Sequence, residues 1–447
     1  MQNFRKRVLK GTLTFTGGVH PPERKETAAF PIERMPVPGQ VTIPLSQHTG
    51  AAAVAIVKPG ELVVTGQKLG EKTGFISANV HSSVTGKVSA IEPRLHPSGN
   101  RVETLVIETS EKEGFSFLPP MDWHPVSPEV LRDRVGDAGL VGLGGAAFPS
   151  EVKFSPTKPV DTLIINGCEC EPCLSADHRV MLERTREMVE GAVIIARILK
   201  VNRVYFGVED NKTDAFIALN NIIVPGSWEG LDMQVFSVET KYPQGAEKSL
   251  IWTLLHREVP SVGLPMDVGV LVSNVGTALA VKEAVVDGKP LYERVITVSG
   301  KVGKPANLLV RIGTSARDII EYCGGLTENE VAVVMGGPMM GLPLPSLDFP
   351  VIKGTSGITV FSRKELRNFE YGPCLKCGRC VDICPLYLLP YFYGLYAEKG
   401  FYQECEPAGV LDCIECGACT YICPARRPII QWVKLAKAKL LQAKKKV

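Results

Sequence analysis

Two short cysteine runs constrain this chain more than any other feature of its sequence. Residues 374–385 read CLKCGRCVDICP and residues 413–424 read CIECGACTYICP, so both follow the pattern C-x2-C-x2-C-x3-C-P. Cysteines this close together cannot pair sensibly as disulfides, and zinc sites use cysteine pairs that lie farther apart. The doubled pattern is instead typical of proteins that bind two [4Fe–4S] clusters. We therefore expect a two-cluster domain near the carboxyl end of the chain.

The spacing also assigns each cysteine to a cluster. Three closely spaced thiolates surround one cluster, and the fourth cysteine of each run binds the other cluster, as in bacterial ferredoxins. Small residues such as Gly378, Gly417 and Ala418 allow the backbone to approach the inorganic sulfides. Cys405 fits neither set and is predicted to be a buried free thiol. The predicted ligands are Cys374, Cys377, Cys380 and Cys423 for one cluster, and Cys413, Cys416, Cys419 and Cys384 for the other.

The rest of the chain has the length and composition of a soluble protein with several domains. Its 447 residues are more than one hydrophobic core can organise, so we expect roughly three to four domains. The composition is 45% hydrophobic and 22% charged, and a net charge of +3 gives no reason to expect a nucleic-acid partner. No run of about 20 apolar residues and no signal peptide is visible, which predicts a cytoplasmic protein without a transmembrane segment.

The first part of the chain divides into an arm, residues 1–36, and a strand-rich unit, residues 37–112. In the second unit, short apolar runs alternate with PG, TG and SG turns. Its two halves, PGELVVTGQKLGE and VHSSVTGKVSAIE, resemble the barrel-sandwich hybrid of lipoyl and biotinyl carriers. The hairpin tip between them reads TGFISANV and lacks the lysine that such carriers modify. We expect the fold without a prosthetic-group arm.

Strands and helices alternate through residues 120–290, which predicts a parallel α/β sheet. Within it, ADHRVMLERTREMVEGAVIIARILK is predicted to be one long helix. Residues 291–345 combine a hairpin pattern with a helix capped by Thr314 or Ser315, which indicates a small α+β unit. The remaining predicted segments are a linker at 346–370 and the cysteine-rich domain at 371–428.

Residues 429–447 have the pattern of a basic amphipathic helix. The apolar positions recur at steps of three and four along one face, and lysines flank them. Such a helix lies on an anionic membrane or on a partner protein, or else it is a solvated terminal helix. The apolar positions are Ile429, Val433, Ala436, Leu440 and Ala443, and the lysines are Lys434, Lys437, Lys439 and Lys444–Lys446.

Four segments of the α/β region are predicted to be loops at strand ends, where open α/β sheets bind their ligands. They read GLGGAAFPSEVKF (142–154), NGCECEPC (166–173), KYPQGAEKSL (241–250) and SNVGTAL (273–279). The glycines of the first segment allow its backbone to approach a phosphate or a flat ring, and Lys153 supplies positive charge. The glycine of the third segment opens a helix whose amino terminus favours an anion. The four segments predict a flavin or nucleotide pocket.

These segments, in this order, resemble the family of C subunits of the Rnf electron-transport complex, and also the NADH-binding flavoprotein subunit of respiratory complex I. GGVHPPERK near the amino terminus, GGPMMG before the linker and the twin cysteine runs fit the Rnf family as well. The resemblance implies a multidomain α/β and α+β protein. Its implied units are a barrel-sandwich hybrid, a Rossmann-like FMN- and NAD(H)-binding domain at 120–290, a β-grasp (SLBB) domain at 291–345 and a ferredoxin-like domain with two [4Fe–4S] clusters.

The resemblance also implies a function. Hydride passes between NAD(H) and FMN, and single electrons pass through the clusters, without a catalytic side-chain acid or base. The subunit would be peripheral, on the cytoplasmic side of the cell inner membrane, and would reach the membrane surface through the complex. Its implied partners are the membrane and iron–sulfur subunits of Rnf, with ferredoxin as an indirect partner. Those subunits would couple ferredoxin:NAD oxidoreduction to Na⁺ or H⁺ transport.

The resemblance assigns roles to residues of the four segments. Gly142, Gly144, Gly145, Phe148 and Lys153 would line FMN, Asn166 would contact the flavin, Glu169 and Glu171 would face the nucleotide, Gly245 and Glu247 would close the pocket, and Asn274 and Thr277 would hold the phosphate side. The sequence departs from the complex I pattern at Leu143, Ala147, Cys168 and Ala246, where that protein has arginine, glycine, aspartate and glutamate. The methyl group of Ala147 would lie beside the flavin ring.

Three alternatives remain open at this stage. Cys168, Cys170 and Cys173 would form a third metal site if Cys323 or His178 supplied a further ligand. The chain would also suit a soluble flavin and iron–sulfur NADH dehydrogenase subunit of a bifurcating enzyme. Finally, it would suit a cluster-bearing electron-transfer scaffold without flavin.

Overall fold

Residues 13–224, 226–228, 230–366 and 370–444 are described by the computed structural model. The first twelve residues of the predicted arm, residues 367–369 of the predicted linker, and Lys445 and Lys446 of the predicted tail lie outside the described residues. Within the described residues, no helix is long and apolar enough to cross a bilayer.

Two small antiparallel sheets enclose a common core in the strand-rich unit. After β1 (Ile32–Arg34), which belongs to another sheet, the strands are β2 (Gln40–Pro44), β3 (Val54–Ala55), β4 (Leu62–Val63), β5 (Lys68–Glu71), β6 (Val80–His81), β7 (Gly86–Leu95) and β8 (Arg101–Thr109). One sheet has the order β2-β8-β7-β4 and the other β3-β5-β6. Val41 lies opposite Ile107, and Ile43 lies opposite Leu105. All four are fully buried, because alternate residues of a strand face the same side.

A four-stranded parallel sheet forms the centre of the α/β region. The elements are α1 (Pro128–Asp137), α2 (Ser150–Lys153), β9 (Thr162–Gly167), α3 (Ala176–Glu183), α4 (Thr185–Leu199), β10 (Arg203–Glu209), α5 (Thr213–Ile222), β11 (Asp232–Val238), α6 (Glu247–Leu255), β12 (Val270–Asn274) and α7 (Val275–Val285). The strand order is β11-β10-β9-β12, and all neighbours are parallel. The chain therefore reverses its direction across the sheet at β9, where open α/β sheets form their ligand crevice.

The single long helix predicted after β9 is wrong, because the structure has two helices, α3 and α4. Arg184 stands between them with the non-helical values φ −126° and ψ 31°. The hydroxyl of Thr185 donates to the carbonyl oxygen of Met181 at 2.5 Å, so one of the carbonyls exposed by the break still has a donor. The break gives α4 its own direction, in which Gly191 packs against α7. A Cβ on Gly191 would lie 1.8 Å from the Ala278 carbonyl oxygen, so only glycine allows this contact.

A six-stranded sheet follows, and it contains two segments that the sequence did not assign to it. Its elements are β13 (Glu293–Gly300), β14 (Ala306–Arg311), α8 (Ala316–Tyr322), β15 (Val331–Met335), β16 (Leu342–Pro343) and β17 (Gly357–Ser362), and the strand order is β1-β14-β13-β17-β15-β16. The predicted linker thus contains a central strand, and the predicted irregular arm contains an edge strand. Ile358 and Val360 of β17 are fully buried, which explains why this segment fills the gap between β13 and β15. Ser315 caps α8, accepting from the Asp318 amide at 3.0 Å, as predicted.

Short helices form the cysteine-rich domain. They are α9 (Arg379–Asp382), α10 (Pro390–Glu398), α11 (Ala418–Ile422) and α12 (Ile429–Lys444). The predicted docking of the apolar face of α12 on a membrane or partner is corrected here. Val433, Ala436 and Leu440 are buried in the core of this domain together with Tyr393 of α10, so that face already has a partner within the chain. Cys405 is buried in the same core, as predicted.

Lys353 joins three of the units from within the former linker. Its side chain is almost completely buried, and its ammonium nitrogen donates to the carbonyl oxygens of Asn79 at 2.6 Å and Gly139 at 2.7 Å. Asn79 belongs to the strand-rich unit, and Gly139 follows α1. Burial lowers the pKa of Lys353 to about 7. The contact therefore holds two domains against the start of β17.

The first prediction concerns this lysine. Its folded pKa lies below its ordinary value of 10.5, so the free-energy cost of burying it is largest below pH 7 and falls as the pH rises toward 10.5. Between pH 7 and 9.5, wild type should therefore gain stability relative to Lys353→Met, on the order of 2 kcal/mol. Thermal unfolding midpoints of both holoproteins across this range measure the change.

The exposed Lys58→Met variant serves as the control and should follow wild type at every pH. A difference between wild type and Lys353→Met that does not change with pH would contradict the burial of a titrating ammonium group at this position.

Candidate functional site

The four predicted loops meet beside the carboxyl ends of β9 and β12. Segment 166–173 begins at the last residues of β9 and runs toward α3, and segment 273–279 joins β12 directly to α7. Segment 241–250 follows β11 and opens α6. Segment 142–154 departs from the prediction, because it follows α1 and includes α2, and it does not follow a strand of the parallel sheet. Its contacts with Thr277 and Glu247 bring it to the other loops.

The turn 142–148, which we call the glycine loop, is held by groups from three domains. Gly142 N–H donates to the Phe148 carbonyl oxygen at 2.9 Å and closes the turn. The Leu143 amide donates to the Thr277 hydroxyl at 2.9 Å, and the Leu143 carbonyl accepts from Arg294 of β13 at 3.2 Å. These bonds satisfy backbone groups that no sheet or helix pairs.

The strand-rich unit supports the far side of the glycine loop. The Thr49 hydroxyl donates to the Ala146 carbonyl at 2.7 Å, and the Thr49 amide donates to the Ala147 carbonyl at 3.3 Å. Ala147 has φ +49°, a left-handed conformation that favours glycine, and its methyl group is buried. Ala147 thus adopts a conformation that favours glycine, at a position where the complex I pattern has a glycine.

Gly144 and Gly145 leave a cradle for a flat ring. A Cβ on Gly144 would lie 2.9 Å from the side chain of Asn274, so this position admits only glycine without a shift of the helix cap. A Cβ on Gly145 would meet no atom within 4 Å, so open space lies above it. A closed backbone surface beside open space fits the isoalloxazine ring of FMN.

Further predicted residues are brought together at the mouth of this cradle. The Asn166 side-chain amide donates to the Gly245 carbonyl oxygen at 2.8 Å. Lys153 and Glu247 form a short ion pair that joins α2 to the first turn of α6. Asn274 caps α7 by accepting from the amides of Gly276 at 2.8 Å and Thr277 at 3.3 Å. A lysine ammonium group and a helix amino terminus both favour an anionic group, although here Lys153 is paired with Glu247.

Glu169 and Glu171, which the resemblance assigns to the nucleotide side, both accept hydrogen bonds from backbone amides. The Glu169 carboxylate accepts from the amides of Asp177 at 2.8 Å and His178 at 3.1 Å, so it caps the start of α3. The Glu171 carboxylate accepts from the amides of Met339 at 2.6 Å and Met340 at 3.2 Å. Burial raises the pKa of Glu171, and these two hydrogen bonds act against that shift. Backbone N–H groups without ladder partners recruit both carboxylates.

Asp177 is a site residue that the sequence analysis did not identify. Its carboxylate accepts from the Asn274 side chain at 2.6 Å, so it holds the residue that caps α7 and backs Gly144. Burial raises the pKa of Asp177 to about 7, with Glu169 adding to the shift and the Asn274 hydrogen bond opposing it. The only sequence signal was an acidic residue in the first turn of α3, and such residues are common.

The cysteine ligand sets separate into two cavities as the spacing predicts. Cys374, Cys377, Cys380 and Cys423 line one cavity, and Cys384, Cys413, Cys416 and Cys419 line the other. Four thiols around each cavity are the donor set that a [4Fe–4S] cluster requires. Burial raises the pKa of Cys413 to about 11 and of Cys416 to about 12. These thiols therefore need to bind a metal cluster in order to lose their protons at neutral pH.

The second of these cavities, which we call the inner cavity, lies against the candidate pocket. The Tyr242 hydroxyl donates to the Cys416 carbonyl at 2.7 Å, and Tyr242 is 2% exposed. A Cβ on Gly417 would lie 3.2 Å from the Met339 carbonyl, in the loop that binds Glu171. Cys170 and Met339 pack against the same apolar cluster as Tyr242 and Cys416.

The three cysteines of NGCECEPC do not converge. Cys168 donates weakly to the Gly207 carbonyl, with 3.7 Å between the heavy atoms, whereas Cys170 accepts from the Gly245 amide at 3.3 Å. Cys173 is buried beside the arm, where its amide donates to the Glu23 carbonyl at 2.8 Å. Among the described residues, no three His, Cys, Asp or Glu side chains lie close enough to hold one metal ion. The third metal site predicted as an alternative receives no support.

Family models match four stretches of the chain. They are the RnfC barrel sandwich hybrid domain at 13–112, the Nuo51 FMN-binding domain at 135–283, the SLBB domain at 295–343 and the 4Fe-4S dicluster domain at 373–427. These matches confirm the predicted fold classes and the predicted FMN and [4Fe–4S] cofactors.

Full-length relatives are similar along nearly the whole chain. The chain is 45% identical to the C subunit of the proton-translocating ferredoxin:NAD(+) oxidoreductase complex of Clostridium ljungdahlii, over 95% of this chain and 93% of that protein. It is 43% identical to the C subunit of the Na(+)-translocating ferredoxin:NAD(+) oxidoreductase complex of Acetobacterium woodii, over 97% and 98%. It is 41% identical to the C subunit of the ion-translocating oxidoreductase complex of Rhodobacter capsulatus, over 96% and 83%.

A solved structure shares the fold. The crystal structure of an NAD+-reducing [NiFe]-hydrogenase in the H2-reduced state superimposes with a TM-score of 0.51 at 21% sequence identity. The match covers 70% of this chain and 63% of the hydrogenase chain. At this identity the likeness concerns the fold alone.

The second prediction tests the cradle. Gly145→Ala should keep the unfolding midpoint of the flavin-free protein, because the new methyl group meets no atom within 4 Å. It should weaken FMN binding by about tenfold or more, because the methyl group occupies the space that the ring needs. Calorimetric titration of the flavin-free protein with FMN measures the affinity.

Gly39→Ala is the control, since Gly39 also has no neighbour within 4 Å but lies outside the pocket. Unchanged FMN affinity in Gly145→Ala would place the flavin away from this cradle.

Proposed function

Because the chain belongs to the family of C subunits of the Rnf ferredoxin:NAD oxidoreductase complex, we propose that its glycine-loop pocket is where NAD(H) exchanges hydride with FMN. We further propose that electrons leave or enter this pocket through the cluster of the inner cavity. The second cluster then connects the chain to the other subunits.

One observation carries the proposal. The inner cavity lies directly against the loops of the pocket, through Tyr242 and Met339, and an apolar cluster of buried and half-buried residues connects them. A short, dry and rigid path suits the transfer of single electrons, and it also keeps water away from a reduced cofactor.

The residues of the chain bind and orient the reactants. When bound, FMN accepts a hydride and releases electrons singly, which links two-electron NAD(H) chemistry to one-electron clusters. Gly144 and Gly145 give the ring its space. The Asn166 side chain donates to the Gly245 carbonyl oxygen and accepts from the Cys168 amide, so it holds two loops of the pocket together. Lys153 supplies positive charge at the mouth, where its partner Glu247 also lies. No side chain needs to move a proton for hydride transfer in this arrangement.

Glu169 and Glu171 have a different role in this proposal from the one that the resemblance implied. Both carboxylates are used inside the protein, one at α3 and one at the loop 339–340. They support the shape of the nucleotide side of the pocket from behind, and contact with NAD(H) is left to the backbone and to other side chains.

The other cluster, in the cavity lined by Cys374 and Cys377, faces the outside of the chain. Cys377 is exposed, and Leu375 beside it is 64% exposed. This cluster is the natural contact for an iron–sulfur partner, because electron transfer between proteins requires close approach.

We assign the chain to the cytoplasmic side of the membrane, bound to the membrane and iron–sulfur subunits of the complex. Electrons from ferredoxin reach it indirectly, and ion transport takes place in those subunits. Relatives named for H⁺ and for Na⁺ are 45% and 43% identical to this chain, so overall similarity here does not favour either ion.

The experiment that tests the proposed function is an anaerobic titration of the reconstituted holoprotein with NADH. Flavin absorbance and the electron paramagnetic resonance signals of the clusters are followed together. Bleaching of the flavin with appearance of reduced [4Fe–4S] signals is expected. If flavin bleaches while the clusters stay silent, dithionite is added to test whether their potentials lie below that of NADH. A protein that binds no flavin and does not respond to NADH would refute the proposal.

The third prediction uses the two cluster sets. Cys384→Ser should remove the cluster of the inner cavity, and Cys423→Ser should remove the other cluster, which we call the outer cluster. Each variant should retain about four iron atoms per chain instead of about eight. NADH should reduce the remaining cluster of Cys423→Ser, because the inner cluster still faces the pocket. NADH should reduce the remaining cluster of Cys384→Ser far more slowly, although dithionite should still reduce it. Freeze-quenched resonance spectra measure both rates.

Equal rates in the two variants would exclude the order pocket, inner cluster, outer cluster. Cys405→Ser is the matched control, since Cys405 is a buried thiol outside both cavities.

The fourth prediction concerns Tyr242. Its hydroxyl donates to the carbonyl of Cys416, a ligand of the inner cluster, and such donors stabilise the extra negative charge of a reduced cluster. Tyr242→Phe should therefore shift the midpoint potential of the inner cluster to a more negative value and leave that of the outer cluster unchanged. A redox titration followed by paramagnetic resonance measures both potentials. Tyr205→Phe, in the core beside Phe236, should change neither.

A further inference from the structure

Lys25 of the GGVHPPERK motif lies under the loop 168–174, which we call the pocket loop. Its ammonium nitrogen donates to the carbonyl oxygens of Glu169 at 2.7 Å, Glu171 at 2.9 Å and Leu174 at 2.5 Å. An ammonium group has three N–H donors, and here each one has a carbonyl acceptor from the same loop. The arm thus places one charge at the centre of a turn that is distant in sequence.

The pocket loop needs such a partner because of its backbone. Glu169 has φ +42° and Cys173 has φ +68°, and both lie in the left-handed region that side chains other than glycine rarely adopt. With these conformations in the loop, the carbonyl oxygens of residues 169, 171 and 174 converge on one point. Without a cation there, the oxygens would repel one another and would lack donors in a buried site.

Lys25 differs from the fully buried lysine of the site, Lys212. Lys212 donates to the Cys168 carbonyl at 2.8 Å, but it also pairs with the Glu209 carboxylate at 2.6 Å. Among the described residues, no carboxylate oxygen lies within ion-pair distance of Lys25. Carbonyl dipoles make the direct contacts with its charge, and the carboxylates of Glu169 and Glu209 favour that charge from a greater distance.

The pocket loop transmits this placement in two directions. The Glu169 carboxylate caps α3 at Asp177, and Asp177 holds Asn274 behind Gly144. The Glu171 carboxylate binds the amide of Met339, next to the inner cavity. One ammonium group therefore lies at the origin of both supports of the pocket.

We propose that Lys25 is a positioning residue for nucleotide binding: hydrogen bonds from its ammonium group hold the pocket loop in its shape. The inference rests on the proposed function, since it assigns the pocket loop to the NAD(H) side of the pocket. It adds a role for the amino-terminal arm, in which that arm completes the nucleotide site of the α/β domain.

The arm does not depend on Lys25 for its own attachment. Val19 pairs with Tyr242 in an antiparallel bridge, and the Gly18 amide donates to the Ile383 carbonyl at 2.8 Å. The Thr27 hydroxyl lies 2.6 Å from the Ser175 hydroxyl. Removing the Lys25 ammonium should therefore leave the arm in place and act on the pocket loop.

The experiment compares Lys25→Ala, Lys25→Met and Lys25→Arg in the reconstituted holoprotein. NADH oxidation is measured with ferricyanide as an artificial electron acceptor, and rates are expressed per bound FMN. Arg24→Ala is the matched control, because it removes the adjacent cation, whose guanidinium pairs with Glu365 at 2.7 Å. Unfolding midpoints report on the fold separately.

The KM for NADH should rise by about tenfold or more in Lys25→Ala and Lys25→Met, with a smaller change in kcat. Lys25→Arg, which keeps a cation, should lie between these variants and wild type. Adding n-propylammonium should lower the KM of Lys25→Ala, because it supplies the missing methylene groups and ammonium. Tetramethylammonium has the same charge but no N–H donor, so it should have no effect. Lys25→Met should not respond, because its side chain fills the space.

Wild-type KM in both Lys25→Ala and Lys25→Met would overturn the inference, and so would equal effects of the two ammonium salts. If Lys25→Ala does not fold, the isosteric Lys25→Met against Lys25→Arg decides the role of the charge. The wild-type protein in the same assay distinguishes a failure of the proposed function from a failure of the Lys25 inference. A wild type that does not respond to NADH refutes the proposed function. A wild type that responds, with variants indistinguishable from it, refutes only the positioning role of Lys25.

Discussion

This site depends on one constraint. The backbone carbonyl and amide groups of its loops have no partners in a sheet ladder and need hydrogen bonds from elsewhere. A ligand crevice at the end of a parallel sheet is built from such loops, and buried polar groups must still find partners. Here the partners come from other domains. Thr49 of the strand-rich unit and Arg294 of the six-stranded sheet bind the glycine loop, and Lys25 of the arm binds the pocket loop. The pocket exists only when these domains are assembled.

The same principle connects the pocket to the cluster domain. The amides of the loop 339–340 bind Glu171 on one side, and the Met339 carbonyl faces Gly417 on the other. Tyr242 makes a second connection through Cys416. Hydrogen bonds that satisfy loop backbone therefore also fix the distance between the pocket and the inner cavity. Since electron transfer depends steeply on distance, the hydrogen bonds that satisfy the loop backbone are also important for function.

Local sequence patterns predicted the fold well wherever an element is stabilised by its neighbours in the chain. The alternation of strands and helices, the cap at Ser315 and the burial of Cys405 all follow from short stretches. The predictions were wrong where long-range packing decides. The segment around Ile358 is a strand because the gap between β13 and β15 needs one, and the apolar face of α12 is covered because the cluster domain needs a core. Neither need is visible in the segment itself.

By itself, the sequence determined which cysteines line each of the two cavities and which loops meet beside the ends of β9 and β12. Cysteine spacing specifies which thiols surround a cluster, because the cluster is small and its ligands are close in the chain. Only the tertiary structure decided what Glu169 and Glu171 do and which cation supports them. A carboxylate in a loop accepts hydrogen bonds from whichever donor packs beside it. Lys25 donates to the pocket loop although more than a hundred residues separate them in the chain. Such pairings depend on how whole domains pack, and no local pattern records them.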